Sequence, residues 1–189
     1  FGSVRGHEFA GEIVRVGKNV KDWRPGQRIV SDNTGHVCGR CPACERGDYL
    51  LCSEKVNLGL GYGYSGGFTK YCRIPGEILA IHKRAIWEIP EGLEYEEAAV
   101  MDPICNAYKA IAQRSGLLPG ENVVIFGTGP LGLFSVQIAK IMGALNIVVV
   151  GLEEDVKVRF GVARQLGATE VVNGSAEDVV QRCQEICGG

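Results

Sequence analysis

The chain has 189 residues, of which 46% are hydrophobic, and a formal net charge of −2. This length allows one large domain or two small ones, and the apolar fraction is enough for a packed core. The near-neutral charge and the lack of a Lys/Arg cluster argue against nucleic acid or an anionic membrane as a partner. The longest apolar stretch is far shorter than the roughly 20 residues that span a bilayer, and the first residues lack a signal-peptide pattern, so a cytoplasmic protein is expected.

The first half of the chain is predicted to contain short strands. Residues 12–16 alternate between polar and apolar, residues 27–30 follow a Pro-Gly turn, and residues 68–74 run from a Gly-Gly pair to Pro75. Short β-elements separated by tight turns favour a small β-barrel or sandwich.

The second half is predicted to alternate between strands and helices. A helical stretch at 94–114 precedes strands at 123–126, 147–150 and 171–172 and helices at 153–166 and 176–186. Between the first two strands, an apolar stripe with helical spacing is formed by Leu131, Phe134, Ile138, Ile141 and Leu145. Strict alternation favours a parallel sheet with crossover helices, in an α/β domain. We therefore expect two domains, 1–103 and 104–189.

Four of the eight cysteines have the spacing of metal ligands, namely Cys38, Cys41, Cys44 and Cys52. Thiols three residues apart, with a fourth after a short loop, let one lobe surround an ion tetrahedrally, as in closed structural zinc sites. An iron–sulfur cluster also uses four thiolates, and disulfides or unrelated thiols are further alternatives. We favour zinc. The other four cysteines are interpreted as small buried hydrophobic residues: Cys72, Cys105, Cys183 and Cys187.

A GxGxxG motif lies between the first predicted strand of the second half and the helix that follows. It consists of Gly127, Thr128, Gly129, Pro130, Leu131 and Gly132. In this context the first glycine permits a sharp turn, the second lets the backbone approach a pyrophosphate, and the third allows close packing of helix and strand. The helix N-terminus would add N–H donors for the phosphates. A purely structural turn is the alternative.

The second strand of a dinucleotide site usually ends in an acid that holds the ribose 2′-hydroxyl. Here Gly151 and Leu152 occupy that place, and they are candidate cofactor-binding positions. Glu153 could substitute for the acid, whereas Lys157 or Arg159 could meet a 2′-phosphate, and all three could simply be exposed helix residues. The choice between NAD and NADP stays open.

Several motifs occur in a fixed order: GHEFAGEIVRVG from Gly6, the four-cysteine lobe, GGFTKY from Gly66 and GTGPLG from Gly127. Together they resemble the zinc-dependent medium-chain alcohol and polyol dehydrogenases, closest to the sorbitol and threonine dehydrogenase branch. The resemblance implies a partial GroES-like β-barrel catalytic domain followed by the first half of a Rossmann doubly wound parallel sheet. It also implies a homo-oligomer, either a dimer or a tetramer.

The resemblance implies a catalytic zinc site as well. His7 matches a zinc ligand, Glu8 an alternate ligand or neighbour of the metal, and Asp102 the acidic third ligand that precedes a proline. Cys105 is a weaker candidate for that third ligand, and Asn106 would lie beside the nicotinamide. The family's first ligand is a cysteine upstream of the His-Glu pair, which these residues do not include, so a fragment lacking both ends is expected.

The function that this resemblance implies is NAD(P)-dependent oxidation of a secondary alcohol or polyol to a ketone, with zinc in both a structural and a catalytic site. The alternative is a non-catalytic module that binds zinc and nucleotide, because the upstream cysteine is absent from this sequence. Relatives of the zinc-free quinone reductases are set aside because they lack the cysteine lobe. His36, beside that lobe, is interpreted as a loop histidine.

Overall fold

The structure, a computed structural model, describes residues 4–55 and 59–188. It divides into two units, Phe1–Asp102 and Pro103–Gly189, and the division falls one residue before the boundary expected from the sequence. Within the described residues, no helix has both the length and the apolar character needed to cross a bilayer.

The first unit contains a three-stranded antiparallel sheet. Its strands are β1 (Ala10–Glu12), β2 (Arg28–Ser31) and β3 (Ile86–Glu88), with β2 in the centre. The sequence prediction for β2 is confirmed within one residue. The prediction of a strand over 12–16 is wrong in extent, because β1 ends at Glu12 and residues 13–16 continue without regular structure.

Short helices complete the first unit. They are α1 (Pro42–Glu45), a 3-10 turn (Tyr49–Leu51), α2 (Gly76–Ile81) and α3 (Tyr95–Ala99). The predicted strand over 68–74 is wrong. The backbone N–H groups of Gly66, Gly67 and Phe68 donate to the carbonyls of Val4, Gly6 and Arg5 instead of to a sheet neighbour. Phe68 and Tyr71 are exposed, so the alternating pattern there does not mark a buried face.

The helix predicted over 94–114 is interrupted. It consists of α3, then α4 (Met101–Tyr108), then a π-helical stretch (Lys109–Arg114). Pro103 explains the break, because it has no N–H to donate to the carbonyl of Ala99, the last residue of α3. The predicted start at residue 94 agrees with the structure, where Glu94 and Glu97 form a capping box at the N-terminus of α3.

The second unit contains a parallel sheet, as the alternating pattern predicts. Its strands β4 (Val123–Phe126), β5 (Ile147–Gly151) and β6 (Glu170–Asn173) lie in that order, with β5 in the centre and buried throughout. The helices are α5 (Pro130–Ile141), α6 (Arg159–Leu166) and α7 (Val179–Cys187), and a 3-10 turn (Glu153–Asp155) follows β5. This half of a doubly wound sheet confirms the predicted α/β class.

The buried face of α5 differs from the predicted stripe. Leu131 and Ile141 are exposed, as is Leu145 beyond the helix, whereas Val136 and Ala139 are fully buried. The sequence around α5 is apolar on most sides, so periodicity alone does not select one face. Small residues take the inward positions, where helix and sheet approach most closely.

Candidate functional site

The four cysteines of the lobe converge as predicted. One sulfur from each of Cys38, Cys41, Cys44 and Cys52 lies within 4.8 Å of every other. The Cys38 and Cys44 sulfurs are 3.9 Å apart, close to the roughly 3.8 Å expected for thiolates around a tetrahedral zinc with Zn–S distances of about 2.3 Å. Helix α1 brings this about locally, because it starts directly after Cys41 with Pro42 in its first turn and places Cys44 on its inner side.

Hydrogen bonds prepare part of the lobe to carry charge. Backbone N–H groups of Cys44 and Ser53 lower the pKa of the Cys41 thiol to about 6. The N–H of Cys38 lies 3.3 Å from the Cys52 sulfur and lowers the pKa of that thiol as well. Burial has the opposite effect on Cys44, whose pKa it raises to about 12.

An aromatic contact and a hydrogen bond connect the lobe to the segment after β2. The ring of Tyr49 lies against His82, with centroids 4.5 Å apart. His82 is buried, and its Nε2 shares a 2.7 Å hydrogen bond with Oδ2 of Asp32, the residue after β2. The other oxygen of Asp32 accepts from the N–H of Thr34. No motif in the sequence marks these contacts.

A second group of potential ligands lies elsewhere in the first unit. His7, Glu8 and Asp102 each offer one ligand atom within 4.8 Å of the others. His7 Nε2 is 3.8 Å from Asp102 Oδ2 and 4.0 Å from Glu8 Oε1. One imidazole and two carboxylates are a donor set that suits zinc. The structure thus brings together the three residues that the resemblance singled out.

Glycine contacts shape the backbone at His7. A Cβ on Gly66 would lie 2.0 Å from the carbonyl oxygen of Gly6, and a Cβ on Gly61 would lie 2.5 Å from it. Gly6 itself has φ +96°, a conformation that favours glycine. The loop around Gly61 and Gly66 can therefore press directly on the backbone before His7, which any larger residue would prevent.

Two further residues contact this group, and neither was predicted from the sequence. Asn33 donates its side-chain amide to Asp102 Oδ1 at 3.1 Å, and the Tyr62 hydroxyl lies 3.3 Å from His7 Nε2. The Tyr62 and His7 rings are 4.9 Å apart. Asn33 lies two residues after β2 and has φ +64°, which asparagine tolerates better than most residues. An asparagine in a turn after a predicted strand was the one signal available in the sequence.

The other candidate residues in this part of the chain are Cys105, Asn106 and His36. Cys105 is exposed, so its interpretation as a buried hydrophobic residue is wrong. It lies on the outward side of α4, next to the exposed Asn106, while the neighbouring Pro103 and Ala107 fill the core positions. His36 lies between β2 and the cysteine lobe and is partly buried.

The glycine-rich loop has the backbone that its sequence predicts. Gly127 has φ +102° and donates its N–H to the carbonyl of Val150 on β5. A Cβ on Gly132 would lie 2.0 Å from the Gly127 carbonyl oxygen, so helix and strand meet there without room for a side chain. By contrast, a Cβ on Gly129 would meet no described atom within 4 Å. The loop is therefore open at Gly129, where a ligand could approach.

The segment after β5 contains the residues whose role in cofactor binding the sequence could not decide. Leu152 is exposed, the Glu153 carboxylate accepts from the Asn173 amide at 2.6 Å, and Arg159 donates to the Thr128 carbonyl at 3.2 Å. Thr128 is buried within the glycine-rich loop. The loop and the segment after β5 are thus directly connected.

Two family models match the chain: Alcohol dehydrogenase GroES-like domain over residues 1–84 and Zinc-binding dehydrogenase over residues 130–189. The zinc-type alcohol dehydrogenase-like protein YdjL of Escherichia coli (strain K12) is 71% identical over 189 residues, which are 100% of this chain and 53% of that relative. The D-arabitol-phosphate dehydrogenase of Enterococcus avium is 36% identical over 186 residues, 98% of this chain and 50% of the relative.

Among solved structures, a protein described as a zinc-binding dehydrogenase from Sinorhizobium meliloti 1021, bound to NADP, superposes with a TM-score of 0.81. It is 32% identical, and the match covers 95% of this chain and 48% of that one. The chain thus spans about half the length of the relatives it matches. The two matched domains follow in the order that the motifs predicted, and the chain is similar to a zinc-type alcohol dehydrogenase-like protein over all of its 189 residues.

Proposed function

We propose that the full-length protein containing this chain oxidises a secondary alcohol or polyol to a ketone, with NAD(P)+ as hydride acceptor and zinc in both a structural and a catalytic site. The observation that carries this proposal is the convergence of His7, Glu8 and Asp102 within 4.8 Å. Three ligand atoms within that distance of one another fit one small divalent cation.

Donor chemistry supports the assignment of this group to the catalytic metal. Asp102 and His7 are partly exposed, which leaves the site accessible to a substrate, unlike the buried sulfurs of Cys44 and Cys52. The Asn33 side-chain oxygen is buried and has no hydrogen-bond partner among the described residues. Such an oxygen favours a site that is completed by a further polar group or by water.

Each residue near this group has a defined task in the proposed reaction. When bound, zinc supplies a Lewis acid for the substrate hydroxyl, and the nicotinamide supplies the hydride acceptor. His7, Asp102 and Glu8 would hold the cation. Asn33 orients the Asp102 carboxylate, and Tyr62 restricts the His7 ring through its hydroxyl and its face. Such supporting contacts commonly change metal affinity 10–100-fold when they are removed.

The proposed dinucleotide site uses the second unit. The open backbone at Gly129 and the N-terminus of α5 would take the pyrophosphate, with Thr128, Pro130 and Leu131 shaping the loop between the outer glycines. Asn106 on α4 is proposed to lie beside the nicotinamide, as the family resemblance implies.

Polyols are the substrate class to test first. The relative from Enterococcus avium is named for a sugar-alcohol phosphate, D-arabitol phosphate. Within this chain, the polar side chains around His7 suit a substrate that carries several hydroxyl groups. We also propose a homo-oligomer and a cytoplasmic location. The location is supported by the four-thiol lobe, because thiolate ligands persist in a reducing compartment.

The test is a comparison of three variants of the full-length protein. Zinc content and NAD(P)+ reduction would be measured with simple secondary alcohols, sugar alcohols and sugar-alcohol phosphates. We expect two zinc ions per chain in the unaltered protein. His7→Ala and Asp102→Ala should each lose one ion and at least about a hundredfold in turnover. His36→Ala, a histidine outside the group, should retain both properties. Near-normal turnover in both site variants would refute the assignment, and one zinc ion with no turnover in the unaltered protein would favour a non-catalytic module.

A further inference from the structure

The end of β5 lacks an acidic side chain where dinucleotide sites usually place one. The space above Gly151 is nevertheless occupied. A Cβ at this position would lie 2.9 Å from Asp155 Oδ2, 2.9 Å from Thr128 Cγ2 and 2.5 Å from Phe160 Cε1. A carboxylate from four residues further along the chain therefore lies over the end of the strand, in the room that the glycine leaves.

Hydrogen bonds fix the Asp155 carboxylate in this place. It accepts the backbone N–H of Leu152 at 2.8 Å and the hydroxyl of Thr128, a residue of the glycine-rich loop. These bonds, together with the nearby charge of Arg159, lower the pKa of Asp155 below its ordinary value, so the group is an anion at neutral pH. A carboxylate has about four acceptor sites, and capacity for a further donor remains.

The other acid considered for this role has a different orientation. The carboxylate of Glu153 accepts from the side-chain amide of Asn173, the last residue of β6, and its backbone N–H donates to the Ser175 hydroxyl. These two hydrogen bonds thus connect Glu153 to the end of β6 and not to the glycine-rich loop. Asp155 contacts that loop directly through Thr128.

The charges in the same segment also disfavour binding of a 2′-phosphate. Glu153, Glu154 and Asp155 are consecutive, and the two cations that follow are Lys157 and Arg159. Arg159 already donates to the Thr128 carbonyl. A 2′-phosphate brings up to two negative charges at neutral pH, and it would meet the fixed Asp155 carboxylate at close range.

We propose that Asp155 takes the place of the strand-end acid, accepts a hydrogen bond from the adenosine ribose and selects NAD(H) over NADP(H). Gly151 makes this possible because it leaves the room that the Asp155 carboxylate fills. The inference rests on the dinucleotide site of the proposed function, but it concerns the preference for NAD(H) over NADP(H). That preference is measured by nucleotide binding and does not require turnover.

The test is to measure nucleotide binding by the full-length protein. NADH and NADPH would be titrated separately, and the fluorescence of each nucleotide would report its binding. We expect NADH to bind at least about tenfold more tightly, since one close charge changes an equilibrium by about that factor near a protein surface. Asp155→Asn keeps an oxygen for the Leu152 N–H but removes the charge, so the preference should shrink about tenfold. Glu154→Gln removes an equal charge at the adjacent exposed position and should leave the preference within about twofold.

A second variant tests the position of the Asp155 carboxylate separately from its charge. Gly151→Ala displaces the carboxylate without changing any charge, and it should weaken NADH binding more than NADPH binding. Equal or tighter binding of NADPH by the unaltered protein would overturn the selectivity while leaving a nucleotide-dependent function intact. Equal shifts in Asp155→Asn and Glu154→Gln would also overturn it. If neither nucleotide bound, both the inference and the proposed dinucleotide site would fall.

Discussion

Asn33 and Asp102 are joined by a 3.1 Å hydrogen bond although 69 positions separate them in the sequence. The amide donates to one carboxylate oxygen of Asp102, while the other oxygen lies 3.8 Å from His7 Nε2. The carboxylate is thus held from one side and presented to the imidazole on the other. An amide is a suitable partner here because it can donate without adding charge to the proposed zinc site.

Removal of the Asn33 side chain should weaken metal binding at the His7 group. In Asn33→Ala and Asn33→Gly, Asp102 loses its donor, and zinc affinity at this group should fall about 10–100-fold. Competition with a chelator measures the affinity, and the thiolate lobe should keep its ion in both variants. Glycine relieves the backbone strain at φ +64° whereas alanine does not. Equal affinity losses in both variants would assign the effect to the side chain, and unchanged affinity would contradict the positioning role.

Gly132→Ala should disrupt the glycine-rich loop. The new Cβ would lie 2.0 Å from a backbone oxygen, so the loop must move, at a cost of about 1–3 kcal/mol in the free energy of unfolding. Chemical denaturation and NADH titration would report the loss of stability and of binding. Gly161→Ala is the matched control, since Gly161 lies on the exposed side of α6 and its Cβ would meet no described atom within 4 Å. This control should gain about 0.5–1 kcal/mol, because alanine favours the helix. Similar losses in both variants would contradict the steric argument.

Cys44→Ser should empty the cysteine lobe. Cys44 is buried among the other ligands, and a hydroxyl is a poor substitute for a thiolate on zinc. We expect the variant to lose one zinc ion per chain and to unfold at a clearly lower temperature, as measured by metal analysis and thermal melting. Cys105→Ser changes an exposed thiol and should affect neither quantity. Retention of both zinc ions in Cys44→Ser would exclude the lobe as a metal site.

Acid should remove the contribution that Asp155 makes to stability. The folded state lowers the pKa of this carboxyl below its ordinary value of 3.8, chiefly through the Leu152 N–H. The stabilisation is therefore complete above the unfolded pKa and disappears as the pH falls through the lower, folded value. Stability measured by denaturation between about pH 5 and pH 2 should decline less steeply in Asp155→Asn than in the unaltered protein. Parallel declines would show that the carboxyl has the same pKa in both states.

The order of strands and helices in the second unit could be predicted from sequence, although the helix expected over 153–166 is a 3-10 turn followed by α6 from Arg159. The strand over 123–126 has the predicted bounds, because an uninterrupted apolar run next to a glycine-rich turn has few other solutions. The first unit was harder to predict. Its short strands carry little periodicity, and at residues 68–74 backbone bonds to the segment around Gly6 replace the expected ladder.

Local motifs identified the candidate ligands but not the residues that hold them. The cysteine spacing and the His-Glu pair are visible within a few positions of sequence. Asn33, Tyr62 and Asp155 act through contacts that form only in the folded chain, and Tyr62 lies 55 positions from His7. The Asp155 carboxylate also needs the room that Gly151 leaves by having no side chain. A missing side chain is a weak signal in a single sequence.

Asp32 and Asn33 are consecutive residues that serve two different sites. Asp32 holds His82, whose ring rests on Tyr49 in the cysteine lobe, while Asn33 holds Asp102. The peptide unit between Asp32 and Asn33 therefore supports contacts at both sites. Removal of zinc from the proposed site in the lobe should disturb the packing of Tyr49 on His82. We expect that disturbance to reach Asp32 and Asn33, so metal depletion of the lobe should also loosen the Asp102 carboxylate of the proposed catalytic site.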